Sequence, residues 1–467
     1  MLNTARSNGL SVNTRINFLE SMDDEAAPPG RCPSRVIKFK CYERQAMSVK
    51  MRTERTKGLW AVLLTLSSVA FAHADSGPIF SRILLSDTLA GGQPSVTLER
   101  DRGFVVTWQS TQQEVTSLKW LALDFDGQPT ARGVIAQGSN WFVNWADTPA
   151  LIVLDNGDWV AFWLERNDPS MPEGYDIRLV RSMDRGKTWS APISPHRDGT
   201  KTQHGFVSMI TDGNDRLLMS WLDGRAAATV SANASGHAGH DHESAPMTLR
   251  SAVINRANQI SGEVAIDYRT CSCCQTDMAL WAGQALIVYR DRTEDEIRDI
   301  SVAERSPIGW GSPKTVHKDN WQIEGCPFNG PAIAVGRTHG LVFWPTLVND
   351  QVTLRYVLAN SPRALADSPP MYQLQTPSLP SGRVDAVAWH DGFLLTWISR
   401  ARDRPAVEVA TVSTDGRVEL SGPIAQPALR GRATGFPRVA SDGKRGLVVW
   451  PELGSDGGPV IGAAVIR

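Results

Sequence analysis

Four of the six cysteines in this 467-residue chain lie in two short motifs. Cys271, Cys273 and Cys274 belong to Cys271-Ser272-Cys273-Cys274-Gln275-Thr276-Asp277, and Cys326 to Gly325-Cys326-Pro327-Phe328-Asn329-Gly330-Pro331. His204 and the tract Gly236-His237-Ala238-Gly239-His240-Asp241-His242 would add His204, His237, His240 and His242 as imidazole ligands. Thiolate and imidazole together suit zinc or copper, and soft sulfur favours copper in its reduced state. The competing chemistry is disulfide formation, as two bridges or as one bridge beside a free pair. A bridge between the adjacent Cys273 and Cys274 would be strained, which argues for the metal or redox alternative. The histidine tract is rich in Ala, Gly and Ser, so it reads equally as a solvated loop.

A second set of residues carries charge. Arg225 follows Trp221, Arg290-Asp291-Arg292 follows Tyr289, and Arg383 and Arg438 stand near the starts of apolar strands. Guanidinium forks converging on a pocket would hold a carboxylate or sulfate on a sugar, whereas each arginine taken singly reads as one half of an ion pair. Cleaving a glycosidic bond also needs two carboxyl groups about 5 to 10 Å apart, or a tyrosine in place of one. Asp147, Asp277, Asp291 and Tyr289 are the candidates for that catalytic role.

These residues act together only if the fold gathers them. One unit recurs along the chain: a short apolar strand, a Gly or Asp-Gly turn, and a second apolar strand ending in an aromatic residue. The aromatics are Trp108, Trp163, Trp221, Tyr289, Trp344, Trp397 and Trp450, at intervals of 53 to 68 residues. That interval is one blade of a β-propeller. Turns such as Asp155-Asn156-Gly157 fit tight hairpins because glycine accepts positive φ. A third β-rich strand follows each hairpin, so the pattern predicts an all-β propeller of seven four-stranded blades. The last unit lacks an outer strand, and the strand-like segment Ile79 to Ser86 lies unpaired ahead of the first; pairing the two closes the ring and removes two open edges. In such a ring the loops leading into strand A and those joining B to C share one face, which predicts that all four cysteines are neighbours there.

Blade two carries Ser182-Met183-Asp184-Arg185-Gly186-Lys187-Thr188-Trp189, which resembles the Asp-box of sialidases and other BNR-repeat propellers. The resemblance implies a scaffold turn rather than a catalyst, and on its own it would favour six blades. Sialidases hold a carboxylate with three arginines and use a Tyr-Glu nucleophile pair with an Asp acid; the nearest match to their opening Arg-Ile-Pro element here is Arg82-Ile83-Leu84, without the proline. The two cysteine motifs resemble a group of exported bacterial sialidase-like propellers. The function implied is binding or exo-α-sialidase-type hydrolysis of an anionic glycan at the channel mouth. The alternative is a noncatalytic or redox protein holding copper or zinc at the cysteines.

Residues 51–74 read as a signal peptide. Arg52, Arg55 and Lys57 precede an apolar run from Leu59 to Ala72, and Ala72-His73-Ala74 is a small-x-small cleavage site. The run is too short to span a bilayer. A periplasmic or secreted protein of residues 75–467 is therefore expected, with residues 1–50 a disordered leader or a mis-assigned start. The chain has a net charge of -1, and the part after Ala74 is more acidic still, which argues against nucleic acid as a partner.

Overall fold

Each repeat forms an antiparallel sheet, because its two apolar strands are joined by a turn too short for any other pairing. The computed structural model describes residues 80–83, 89–171, 174–213, 215–228 and 247–467. The tract with His237, His240 and His242 and the expected signal peptide lie outside the described residues. There are seven blades, as the repeat spacing predicts. Their innermost strands A are Gly92–Glu99, Ala150–Val153, His204–Thr211, Asp277–Trp281, Ala332–Val335, Leu379–Trp389 and Arg438–Ser441. Two blades are irregular at the outer edge. In blade two only isolated bridges stand there, Leu179 to Ile193 and Tyr175 to Gln203, and in blade four two short strands, Gly309–Trp310 and Lys314–His317, share the position.

Ring closure is visible in both the backbone and the core. Phe80–Ile83 pairs antiparallel with Pro459–Ile466, Phe80 opposite Ile466, so the strand ahead of the first blade completes the seventh. One apolar cluster lies between each adjacent pair of blades, seven in all, and the one joining Phe104, Val106 and Trp108 to Leu447, Val449 and Val465 seals blade one to blade seven. The recurrent aromatics supply much of this packing, since Trp221, Tyr289, Trp344, Trp397 and Trp450 are fully buried. Burying a side chain of that size removes the largest apolar area available to one residue. Among the described residues no helix is long and apolar enough to cross a membrane.

The Asp-box turn lies at the end of strand C in blade two, on the face opposite the cysteines. Asp184 Oδ1 accepts from Thr188 N at 2.9 Å and Oδ2 accepts from Thr188 Oγ1 at 2.7 Å, which holds the carboxyl down to about 2. Gly186 takes φ +79°, and a side chain there would press on Trp120 and Trp159. Arg185 reaches across to Glu99 in blade one, Nε to Oε1 at 2.5 Å.

Candidate functional site

The three consecutive residues after Cys274 pin the cysteine loop to its surroundings. Gln275 Nε2 donates to Ala146 O at 2.7 Å, in front of blade two. Thr276 Oγ1 donates to Phe206 O at 3.0 Å in blade three, and Ser208 Oγ donates back to Thr276 O at 2.7 Å. Asp277 Oδ2 accepts from Ile333 N at 2.8 Å in blade five. The second motif folds over the first: any side chain at Gly330 would overlap the backbone carbonyl of Gln275. Asn329 then serves two arginines, its carbonyl accepting from Arg290 Nε at 2.8 Å and its Oδ1 from Arg383 N at 2.9 Å. A loop fastened to four blades holds its thiols in one geometry, which is the condition for a preorganised ligand set.

Four free thiols meet at this loop. Cys271 Sγ lies 3.2 Å from Cys274 Sγ and 3.8 Å from Cys273 Sγ, and the three sulfur atoms all lie within 4.8 Å of one another. They are 1 %, 5 % and 1 % exposed for Cys271, Cys273 and Cys274. Cys326 is half-buried, packs against the apolar cluster that contains the other three, and has its Sγ 3.9 Å from Ser272 Oγ; the neighbouring Cys273 thiol lowers its pKa. Arg298 Nη1 donates to Cys271 Sγ at 3.4 Å. Burial alone would raise the Cys271 thiol, but the thiols of Cys273 and Cys274 and the Arg298 charge hold it well below its ordinary value. Burial and the Cys271 thiolate push Cys274 up. One stabilised thiolate among neutral thiols can take a soft cation and release further protons as it binds.

His204 belongs to a different cluster. Its Nε2 meets Asp198 Oδ2 at 3.1 Å and its Nδ1 meets Asp176 Oδ1 at 3.5 Å, while His196 stacks on it with ring centroids 3.8 Å apart. Burial works against the charged ring, yet Asp176 and Asp198 raise its pKa to about 9. Both rings face carboxylates, so the arrangement is an ion network between blades two and three, and one atom of each of Asp176, His196 and His204, and of each of Asp198, His204 and Asp223, lies within 4.8 Å of the others in its group. Arg225 completes it through Asp223 Oδ2 at 2.7 Å and Asp198 Oδ2 at 3.2 Å.

The other candidate arginines also have partners inside the protein. Arg290 donates to the carbonyls of Asn329, Arg298 and Pro345. Arg292 pairs with Glu296 at 2.7 Å. Arg383 lies over the Trp145 ring at 4.7 Å and donates to Thr434 Oγ1, and desolvation lowers its pKa to about 10. Arg438 lies over Phe436 at 5.3 Å. Trp145, Phe328 and Phe436 cluster on the cysteine-bearing face beside these arginines.

The candidate carboxylates Asp147 and Asp277 fall in one group, joined there by Asp385, which the sequence reading does not name, and Asp291 in another. Asp147, Asp277 and Asp385 line a channel cavity of about 270 Å³, and each accepts a backbone N–H of the next blade: Phe206 N at 2.8 Å, Ile333 N at 2.8 Å and Val439 N at 3.0 Å. Burial raises Asp147 and Asp277 to about 7. They work as clamps between blades two and three, four and five, six and seven. The sequence reading does not contain that role, although an Asp followed within three residues by Ala recurs in or just before strand A in Asp147-Thr148-Pro149-Ala150, Asp277-Met278-Ala279 and Asp385-Ala386. Asp291 is raised to about 6 by burial and by the charge on Asp267, and Tyr289 OH donates to Asp267 Oδ2 at 2.5 Å.

No family model matches the chain, and no curated protein does. Among solved structures the fold is similar to a protein of unknown function from Dyadobacter fermentans, at 14 % identity over 84 % of this chain and 99 % of that one, with a TM-score of 0.48. It is also similar to the GH93 α-L-arabinofuranosidase of Fusarium graminearum in complex with arabinobiose, at 11 % identity over 71 % and 95 % with a TM-score of 0.47. A third is the polysaccharide lyase Uly1, at 11 % identity over 80 % and 89 % with a TM-score of 0.48.

Proposed function

We propose that the protein is an exported propeller that binds Cu(I) through Cys271, Cys273 and Cys274, with the arginines beside them balancing the charge. One observation carries the reading: three free, buried sulfur atoms of a single loop lie within 4.8 Å of one another. Soft thiolates select reduced copper, and the mutually close set holds three sulfur atoms, with Cys326 outside it. Three thiolates around Cu(I) leave two negative charges in a buried place, which must be compensated. Arg298, 3.4 Å from Cys271, and Arg290, buried beside Cys274 with its donors on backbone carbonyls, supply two positive charges. Periplasmic or secreted location is part of the proposal. The test is anaerobic titration of the purified mature chain with Cu(I) against a chromophoric chelator. One equivalent should bind, and Cys273→Ser should abolish binding; no uptake, or uptake unchanged in that variant, sinks the reading.

A second reading, hydrolysis of an anionic glycan of the exo-α-sialidase type, draws support from Asp291, raised to about 6 next to Tyr289. Its weakness is that Arg225, Arg290, Arg292 and Arg383 already hold partners within the protein. Release of sialic acid from a fluorogenic substrate, lost in Arg292→Ala, would favour it.

A further inference from the structure

The three innermost thiols are 1 %, 5 % and 1 % exposed, so no donor molecule can place a ligand on a copper ion seated among them. Ligand exchange at a soft metal needs an incoming sulfur that can reach both partners. Cys326 has that position. It comes from the separate loop ahead of strand A in blade five and neighbours Cys273. Its Sγ lies 3.9 Å from Ser272 Oγ, the one residue of the Cys271–Cys274 segment that is not fully buried. Cys326 packs against the apolar cluster that holds the three buried thiols, yet it is itself only half-buried, and Glu324, two residues before it, is exposed. Cys326 is also absent from the mutually close set of three sulfur atoms.

Building on the Cu(I) reading, we infer that Cys326 is a transfer ligand: it takes Cu(I) from a thiol-bearing donor at the surface and passes it to Cys273, and so to the buried set. The exchange balances without a redox step. Cys326 loses its proton as its Sγ–Cu bond forms; the donor's sulfur leaves the metal and takes up a proton. The Cys273 Sγ–Cu bond then forms with loss of the Cys273 proton, the Cys326 Sγ–Cu bond breaks, and Cys326 is protonated again. Copper stays in the +1 state throughout. The donor class is a Cu(I)–thiolate complex, either of a small thiol or of a protein with an exposed cysteine.

The experiment follows loading of the full mature chain by the Cu(I)–glutathione complex in an anaerobic stopped-flow instrument, beside equilibrium titration. Cys326→Ser should still bind one Cu(I), with its loading slowed at least about tenfold because the accessible sulfur is gone. Cys326→Met, which restores a soft ligand, should recover most of the rate, an outcome that a merely structural role for Cys326 would not produce. Loading of Cys326→Ser at the wild-type rate overturns the inference while leaving the buried site intact. Loss of stoichiometric binding in that variant also overturns it, because Cys326 would then be a resident ligand. Failure of the wild-type chain to bind Cu(I) at all removes the underlying reading as well.

Discussion

Arg298 Nη1 donates to Cys271 Sγ across 3.4 Å, and both groups are buried. A guanidinium cannot lose its proton there, so it fixes a positive charge against the sulfur at any pH the fold survives. The same side chain is anchored by Glu296 Oε2 at 2.6 Å, which keeps it from turning away.

Removing that charge should weaken copper without removing a ligand. A hydrogen bond to a charged partner contributes about 1.5 to 3 kcal/mol, so Arg298→Gln should lower Cu(I) affinity by roughly 10- to 100-fold in chelator competition. Arg298→Lys, which keeps the charge, should lose less. Equal affinity in wild type and Arg298→Gln would show that the arginine does not tune the thiolates.

The stability contributed by the buried carboxyls should fall as pH rises across the neutral range. Asp147 and Asp277 stand at about 7 because burial disfavours their charged forms. Between the ordinary carboxylate value and about 7 the native chain holds protons that the unfolded chain has released, so their stabilisation is complete at low pH and lost as pH climbs through about 7. His204, raised to about 9, has the same sign, its contribution disappearing as pH passes about 9. Depressed carboxyls such as Asp184, at about 2, act oppositely, and their contribution is lost only in strong acid. Because the depressed Cys271 thiol acts in the opposite sense over part of the same range, the test is differential: from about pH 5 to about pH 7 the wild-type melting temperature should fall relative to that of Asp277→Asn. A wild-type profile rising relative to the variant over that range would contradict the assignment.

The Asp-box should behave as scaffold. Gly186→Ala places a methyl group against Trp120 and Trp159 at a φ of +79°. Overpacking of this kind costs about 1 to 3 kcal/mol, read as an earlier urea midpoint. Copper stoichiometry should be unchanged, since the turn is on the opposite face from the thiols. Loss of binding in a still-folded variant would deny the separation of the two faces.

Much of the architecture was legible because its signals are local and repeated. Seven aromatics at blade-length intervals specify seven hairpins, and the unpaired strand at one end specifies closure, which the pairing of Phe80 with Ile466 bears out. Packing of blade five on blade four then brings Cys326 beside a loop some fifty residues earlier. What could not be read was which polar groups were already satisfied. Asp277 has the residue type of a general acid, yet its oxygens are taken by Ile333 N and Met278 N. Arg290 has the type of a substrate clamp, yet each of its three nitrogens already donates to a carbonyl from a separate segment. His204 was grouped with the thiols because it shares their rim, but Asp176 and Asp198 reach it first. Hydrogen-bond saturation depends on backbone atoms brought together by the ring, and a list of side chains carries no record of it.

X-ray absorption at the copper edge of the reduced, singly loaded protein tests the metal site most directly. The account predicts Cu(I) surrounded by three sulfur atoms with no nitrogen or oxygen neighbour. A shell dominated by nitrogen or oxygen would contradict it.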